Sequence, residues 1–479
     1  MMDWARLLSD KRIRELSGGK PSRVNDHRTA FQSDYDRMVF SAPVKRLQDK
    51  AQVFPLDPND AVRTRLTHSL EVSCVARGLA QRVARELVKI DKIGESQARA
   101  IEDICGAAGL IHDLGNPPFG HYGEAAISTW FQGQIGQSAL EPIANIPELS
   151  ADFTSFEGNA RTLRLLCHLQ VLSDQHGLNP TAAIIGAAMK YVVPSHEANR
   201  EGGDHRRNKP GFLFAEKRLI QTVRDELGIG EARHPLVFLV EAADDCVYSI
   251  CDIEDGVKKG ILTFDQAVTA LVEKAKEHGL DQKVIESTAK RAISTIDEGT
   301  NAGPKLADLA REDAYMQMFR VQVISQTVPG ASDAFLTRYD EIMSGEYRGE
   351  LVADEASGST KSLVKACKKV GGAKIYSTRP TIELEIRGGK IIHSLLDTLW
   401  TGVNPDTRGK DDGKRCFSLV SQSYRNLYEF ELGEANKNGF YGFSAEQIRR
   451  YYDLLLLTDY VGGMTDTFAS NLYRSLNHG

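Results

Sequence analysis

Apolar residues recur along most of the chain at the three-to-four-residue spacing of a helix. Val72, Val75, Leu79, Val83 and Leu87 line one side of a segment over about 67–92, which predicts an amphipathic helix. Over 100–112 the residues Ile101, Ile104, Cys105, Ala107, Ala108, Leu110 and Ile111 are apolar nearly all round, the pattern of a central helix enclosed by others. Helical patterns also cover 156–176, 181–190, 215–227, 235–259, 263–278 and 282–298, with several more beyond 305. Alternation of period two is scarce. Its best instance, Thr381, Ile382, Glu383, Leu384, Glu385 and Ile386, reads equally well as successive helical turns. The expected fold class is mainly α, a helical bundle with additional C-terminal helices and few short strands.

Gly, Pro and Asn clusters mark loops at 114–120, 133–149, 194–211 and 404–414. The third is the most polar, with His196, Glu201, Asp204, His205, Arg206 and Arg207, and suits a mobile surface segment. A chain of 479 residues with 41% hydrophobic and 26% charged residues is globular, and its length suggests about three domains or one large helical body. The net charge of −6 gives no overall basic field that would demand nucleic acid. One stretch, 361–379, is locally positive through Lys361, Lys365, Lys368, Lys369, Lys374 and Arg379, either a solvated face or a binding patch. The seven cysteines are scattered without C-x-x-C spacing, which speaks against a disulfide framework or zinc ribbon and for a reducing compartment. Residues 1–20 are interrupted by charges and no apolar run approaches a membrane span, so a cytoplasmic, non-membrane protein is expected.

The strongest chemical signal runs from Gly109 to His121, where His112 and Asp113 end an apolar segment and Gly115, Asn116, Pro117 and Pro118 follow. A buried carboxylate beside an imidazole is costly unless something compensates the charge and orders the ring, and a divalent cation does both. Gly115 is placed to take the left-handed conformation that closes a helix, and the prolines oppose its continuation. The chain then turns, bringing His121 back toward the pair. A His-Asp dipeptide alone is more often a surface pair or a satisfied core histidine. His68 opens the amphipathic helix just after Arg63 and Arg65, which suit a polyanion. Glu241, Asp244 and Asp245 stand among small residues in an apolar helix, where a buried acid needs a cation or strong donors. Asp244, Tyr248 and Asp252, spaced by four, share a face.

In order, His68, His112 with Asp113, and Asp244 closely resemble the signature of the deoxynucleoside triphosphate triphosphohydrolases of the HD superfamily, of the bacterial dGTPase type. The strings at 26–32, 45–54, 156–160 and 241–252 resemble family motifs in the family's order, as does 459–466 near the C-terminus. Val44 and Lys45 depart from it, standing where related sequences usually carry Phe-Arg.

The resemblance implies an HD-domain helical bundle divided into an N-terminal segment contributing to the active site (1–60), a metal-dependent phosphohydrolase core (61–260) and a helical C-terminal region (261–479). It implies that His68, His112, Asp113 and Asp244 bind one divalent metal, Mn²⁺ or Mg²⁺ foremost and Fe²⁺, Co²⁺ or Zn²⁺ otherwise, with Asp245 the alternative fourth ligand. It implies hydrolysis of dNTPs, dGTP foremost, to deoxynucleoside and tripolyphosphate. His121 and Glu124 match the family's catalytic histidine and its carboxylate partner, and Asn116 a polar position beside them. Arg46, Arg65, Lys190, Tyr191 and Lys209 match positions near the phosphates. Gln52, Tyr248 and Asp252 match deoxyribose contacts that leave no room for a 2′-hydroxyl. Family members are commonly homo-oligomers, often hexamers, and some respond to nucleotides or single-stranded DNA. Two other readings are an HD phosphohydrolase acting on another nucleotide phosphoester, and a nucleotide-sensing or DNA-binding protein that uses 361–379. The presence of every ligand argues against an inactive site.

Overall fold

Helix α1, Arg65–Lys89, starts at a reciprocal cap in which the Thr64 and Thr67 side chains each bond the other's backbone amide. It buries Val72, Leu79, Val83 and Leu87 against α2, Glu95–Ile111, whose Ile101, Ile104, Leu110 and Ile111 are fully enclosed. Each such side chain contributes ~1.5–3 kcal/mol. Two glycines set how closely the helices approach. A methyl at Gly109 would lie 3.0 Å from Ser73 Cα, and Ser73 Oγ donates to the Gly106 carbonyl at 2.7 Å. That proximity carries the His68 and His112 rings to 5.2 Å between centroids.

The structure is a computed structural model that describes residues 1–21, 26–56, 59, 61–169, 175–300 and 308–477. The remaining helices used below are α3 Gly120–Trp130, α4 Gly158–Arg164, α5 Ala182–Ala188, α6 Pro235–Lys258, α7 Asp308–Thr337, α8 Ser359–Val370, α9 Arg379–Val403, α10 Ala445–Gly462 and α11 Asp466–Asn477. The apolar interior falls into two large clusters. One joins α1, α2, α5, α6, α7 and α8 through Leu79, Ile104, Ile184, Leu239, Phe335 and Val364. The other joins α3, α9 and α10 through Ile127, Ile392, Leu395, Leu454 and Leu457. Among the described residues extended pairing is confined to three isolated bridges, Arg12 with Thr181, Ala51 with Thr64 and Pro194 with Phe212. Among the described residues no helix is long and apolar enough to cross a membrane, and all seven cysteines are free.

The helices expected at 67–92, 100–112, 181–190, 235–259, 263–278 and 282–298 are present with ends shifted by a few residues. The strand candidate at 381–386 is helical, the first turns of α9, because its apparent alternation is an i, i+4 pattern: Ile382 and Ile386 face solvent while Thr381 and Glu385 line a cavity. The expected loops at 133–149 and 404–414 contain short helices, Gln134–Leu140 and Pro405–Arg408, the second capped by Asn404 accepting from the Asp406 amide at 3.2 Å. Helices of four to seven residues are too short to show a hydrophobic period. In the expected 156–176 helix, α4 widens into a looser turn over Leu165–Leu169, and 170–174 lie outside the described residues, as do 301–307 and the expected boundary at 60.

Candidate active site

The turn after α2 departs from expectation at Gly115, which is not among the left-handed residues. A side chain there would lie 2.1 Å from the Gly158 carbonyl oxygen, so the close approach of α4 is what requires glycine. The left-handed positions are Phe119 (φ 63°) and Gly120 (φ 61°). Phe119, at a cost of about 1–2 kcal/mol, is held there by burial and by its amide donating to Asp466 at 2.9 Å.

His68, in the first turn of α1, places Nε2 3.1 Å from Asp244 Oδ1. His112 Nδ1 donates to the Gly109 carbonyl at 2.8 Å, which turns Nε2 inward, 3.6 Å from Asp244 Oδ1 and 3.7 Å from Asp113 Oδ2. That Nε2 is buried without a hydrogen-bond partner among the described residues, and ligand atoms of His68, His112 and Asp113 lie within 4.8 Å of one another. Burial alone would raise both carboxyls, but His112 and Arg65 hold Asp113 well below the usual range, and His112 and His68 hold Asp244 at about 2. Both are therefore ionised, as a cation requires. Two imidazoles and two carboxylates around an orphaned nitrogen fit a divalent metal. Asp245 instead turns to Lys368, 2.7 Å from its Nζ, and burial pushes its carboxyl up to about 6.

The His121 side chain is 73% exposed, and its Nδ1 donates to Glu124 Oε2 at 2.7 Å. Glu124 raises the imidazole pKa and uses its second oxygen to accept from the Gly158 amide at 2.8 Å. Asn116 is buried behind this turn, its Oδ1 2.5 Å from where a Gly158 side chain would sit.

Gln52, Arg65, His112, Asp113, His121, Lys190, Tyr191, Lys209, Asp244, Tyr248 and Asp252 line one cavity of about 660 Å³. His68, Glu124 and Asn116 stand behind its wall. Arg46 is not brought to it: its guanidinium reaches the Tyr424 hydroxyl (3.4 Å) and the Gly463 carbonyl (3.3 Å). Each wall lysine is docked on an acid, Lys190 on Glu241 at 3.4 Å and Lys209 on Glu157 at 3.1 Å. The 194–211 segment that carries Lys209 is braced within itself by Arg206 on Asp204 (2.7 Å) and Arg207 on Glu197 (3.0 Å) and joined to the rest of the chain by Lys209 on Glu157.

Sequence reasoning missed the wall contributed by α8 and α9. Lys368 sits 5.5 Å over the Tyr248 ring, the Tyr376 hydroxyl donates to Asp252, and Glu385 completes that side. Burial pushes Asp252 up to about 7. The one signal, the lysine run at 361–379, pointed to the surface, whereas α8 turns Lys368 inward while Lys361 pairs with Glu355 and Arg379 with Glu383.

Fold and site together define a metal-dependent phosphohydrolase of the HD class, and the HD domain family model matches residues 65–151, which carry His68, His112 and Asp113. The chain is 36% identical to the deoxyguanosinetriphosphate triphosphohydrolase-like protein of Listeria innocua and 34% to that of Synechocystis, with 99% of both chains covered in each case. It is 32% identical to the deoxyguanosinetriphosphate triphosphohydrolase of Yersinia enterocolitica, covering 96% of both chains. The chain belongs to the deoxyguanosinetriphosphate triphosphohydrolase family.

Proposed function

We propose that this protein hydrolyses dNTPs, dGTP foremost, to deoxynucleoside and tripolyphosphate, using a divalent metal held by His68, His112, Asp113 and Asp244. The observation that carries the reading is the buried His112 Nε2, without a hydrogen-bond partner among the described residues and faced by two carboxylates at the wall of a lysine-lined cavity. A divalent metal, Mn²⁺ or Mg²⁺, held by these four side chains would supply positive charge beside the α-phosphate and would lower the pKa of the attacking water. Arg65, Lys190 with Tyr191, and Lys209 bind the remaining phosphate oxygens, whose charge must be met in the transition state. His121, kept protonated by Glu124, gives its proton to the departing 5′-oxygen. Gln52 and Asp252 bind the 3′-hydroxyl, and Tyr248 closes on the sugar so that a 2′-hydroxyl has no room. Asn116 supports the site from behind.

In this reading residues 1–60 contribute Gln52, 61–260 form the catalytic core and 261–479 close the cavity. The family resemblance supports a cytoplasmic homo-oligomer, commonly a hexamer, that responds to a nucleotide or single-stranded DNA. The test is to incubate metal-loaded protein separately with each dNTP and with GTP and to resolve the products by chromatography. Tripolyphosphate from dGTP, absent with GTP and in His112→Ala, is the expected result. Release of monophosphate or pyrophosphate instead would assign a different phosphoester.

A further inference from the structure

We propose that Lys50 is a positioning residue for this hydrolysis, a buried ammonium that locks the His121-bearing turn onto the chain segment at 462–466. The proposal rests on the reading of His121 as the proton donor. Lys50 is 3% exposed, and its Nζ donates to the Asn116 carbonyl at 2.5 Å and to the Gly462 carbonyl at 3.1 Å. The backbone around it completes a circuit. The Lys50 carbonyl accepts from the Arg65 amide at 2.9 Å, and the Ala51 amide donates to Asp466 Oδ2 at 3.0 Å. The other Asp466 oxygen takes the Phe119 amide at 2.9 Å, so residues 50–51, 116–119 and 462–466 are held as one unit.

Asn116 follows the candidate ligand Asp113 by three positions, and Phe119 holds the left-handed turn from which His121 emerges. The placement of His121 against the candidate ligands therefore passes through this circuit. Lys50 is not among the residues lining the cavity, so it acts through the turn and not on substrate. The charged groups facing it are Asp466, which attracts, and Arg65 and Arg46, which repel. Burial pushes the ammonium down to about 7. A charge so costly to enclose is commonly replaced by an apolar side chain without loss of stability. Two carbonyls from distant parts of the chain are what the ammonium joins and an apolar side chain would not.

Lys50→Met tests the proposal. Because no substrate or metal contact is removed, kcat is expected to fall on the order of 10–100-fold while KM for the dNTP and metal affinity stay within about twofold. Backbone amide exchange should quicken together at 116–121 and 462–466, with the middle of α1 and α2 unchanged. Asp466→Asn, which keeps the shape but sets an amide against an N–H, should quicken exchange in the same two segments and serves if Lys50→Met does not fold. Unchanged kcat in a folded Lys50→Met, or exchange that quickens uniformly along the chain, overturns the proposal. If the wild-type protein releases no tripolyphosphate, the reading of the reaction fails instead, and the exchange pattern alone decides whether the lock exists.

Discussion

The His121 imidazole and the Glu124 carboxylate are joined at 2.7 Å, and the carboxylate cannot swing away because its other oxygen takes the Gly158 amide. The interaction favours the protonated ring, so the acid form of His121 is fully present below its raised pKa and is lost as pH rises through it. Glu124→Gln removes the charge that favours the proton. The alkaline fall of kcat should move to lower pH by about one unit, with kcat at pH 8 reduced by up to about tenfold. A kcat profile whose alkaline limb does not move would show that His121 is not the proton donor.

Gly158 makes the same arrangement sensitive to a single methyl. A Cβ there would stand 2.5 Å from Asn116 Oδ1 and 2.8 Å from Glu124 Oε1, and the Gly115 contact on the same helix leaves α4 little room to retreat. Gly158→Ala should cost about 1–3 kcal/mol of stability and lower kcat nearly as far as His121→Ala does. Steady-state kinetics beside a thermal melt checks both, and a variant with wild-type kcat would mean that Glu124 adjusts freely.

Neighbouring acids on α6 have opposite partners. Asp244 faces His68 and His112, while Asp245 holds Lys368. Asp244→Asn should therefore lose bound metal and cut kcat on the order of a thousandfold, since a ligand is removed from a site that needs every donor. Asp245→Asn should keep its metal and chiefly raise KM, by releasing Lys368. Metal content after dialysis separates the two; equal metal loss in both would place the fourth ligand differently.

Why the sequence pointed to the candidate metal cluster and not to the far wall of the cavity follows from how each is built. His112 and Asp113 sit at the end of an apolar helix, and the spacing of Asp244, Tyr248 and Asp252 puts them on one face of α6, but it was the resemblance of the ordered set His68, His112 with Asp113, and Asp244 to the HD signature that marked them as candidate ligands. Lys368 and Tyr376 reach the same cavity from more than a hundred residues further on, through the packing of α8 against α6. Nothing in a lysine-rich amphipathic segment says which lysine turns inward. Gly115 shows a subtler limit. It was expected to be left-handed and is not; what requires glycine there is α4, a helix more than forty residues away, and no local rule for ending helices could report it.

Away from the candidate metal cluster, Arg164 gathers two buried acids, Glu216 at 3.0 Å and Asp459 at 2.7 Å, and the half-buried Glu431 at 2.8 Å. Burial pushes Glu216 up to about 7, above its value in the unfolded chain, despite the pull of Arg164. The folded state thus retains a proton that the unfolded state has already lost. Its contribution to stability is complete below the unfolded pKa and disappears as pH rises through about 7. Glu216→Gln keeps an acceptor for Arg164 and carries no proton to lose. Relative to the wild type it should gain roughly 1–3 kcal/mol between pH 5 and pH 8. His168, whose imidazole burial pushes down to about 4, lies 3.9 Å from Glu216 Oε1, so the double variant with His168→Gln separates its titration from that of Glu216. Thermal unfolding of the pair at pH 5 and pH 8 measures it, and a difference in melting temperature that is the same at both would mean that Glu216 is already ionised in the folded protein at pH 5.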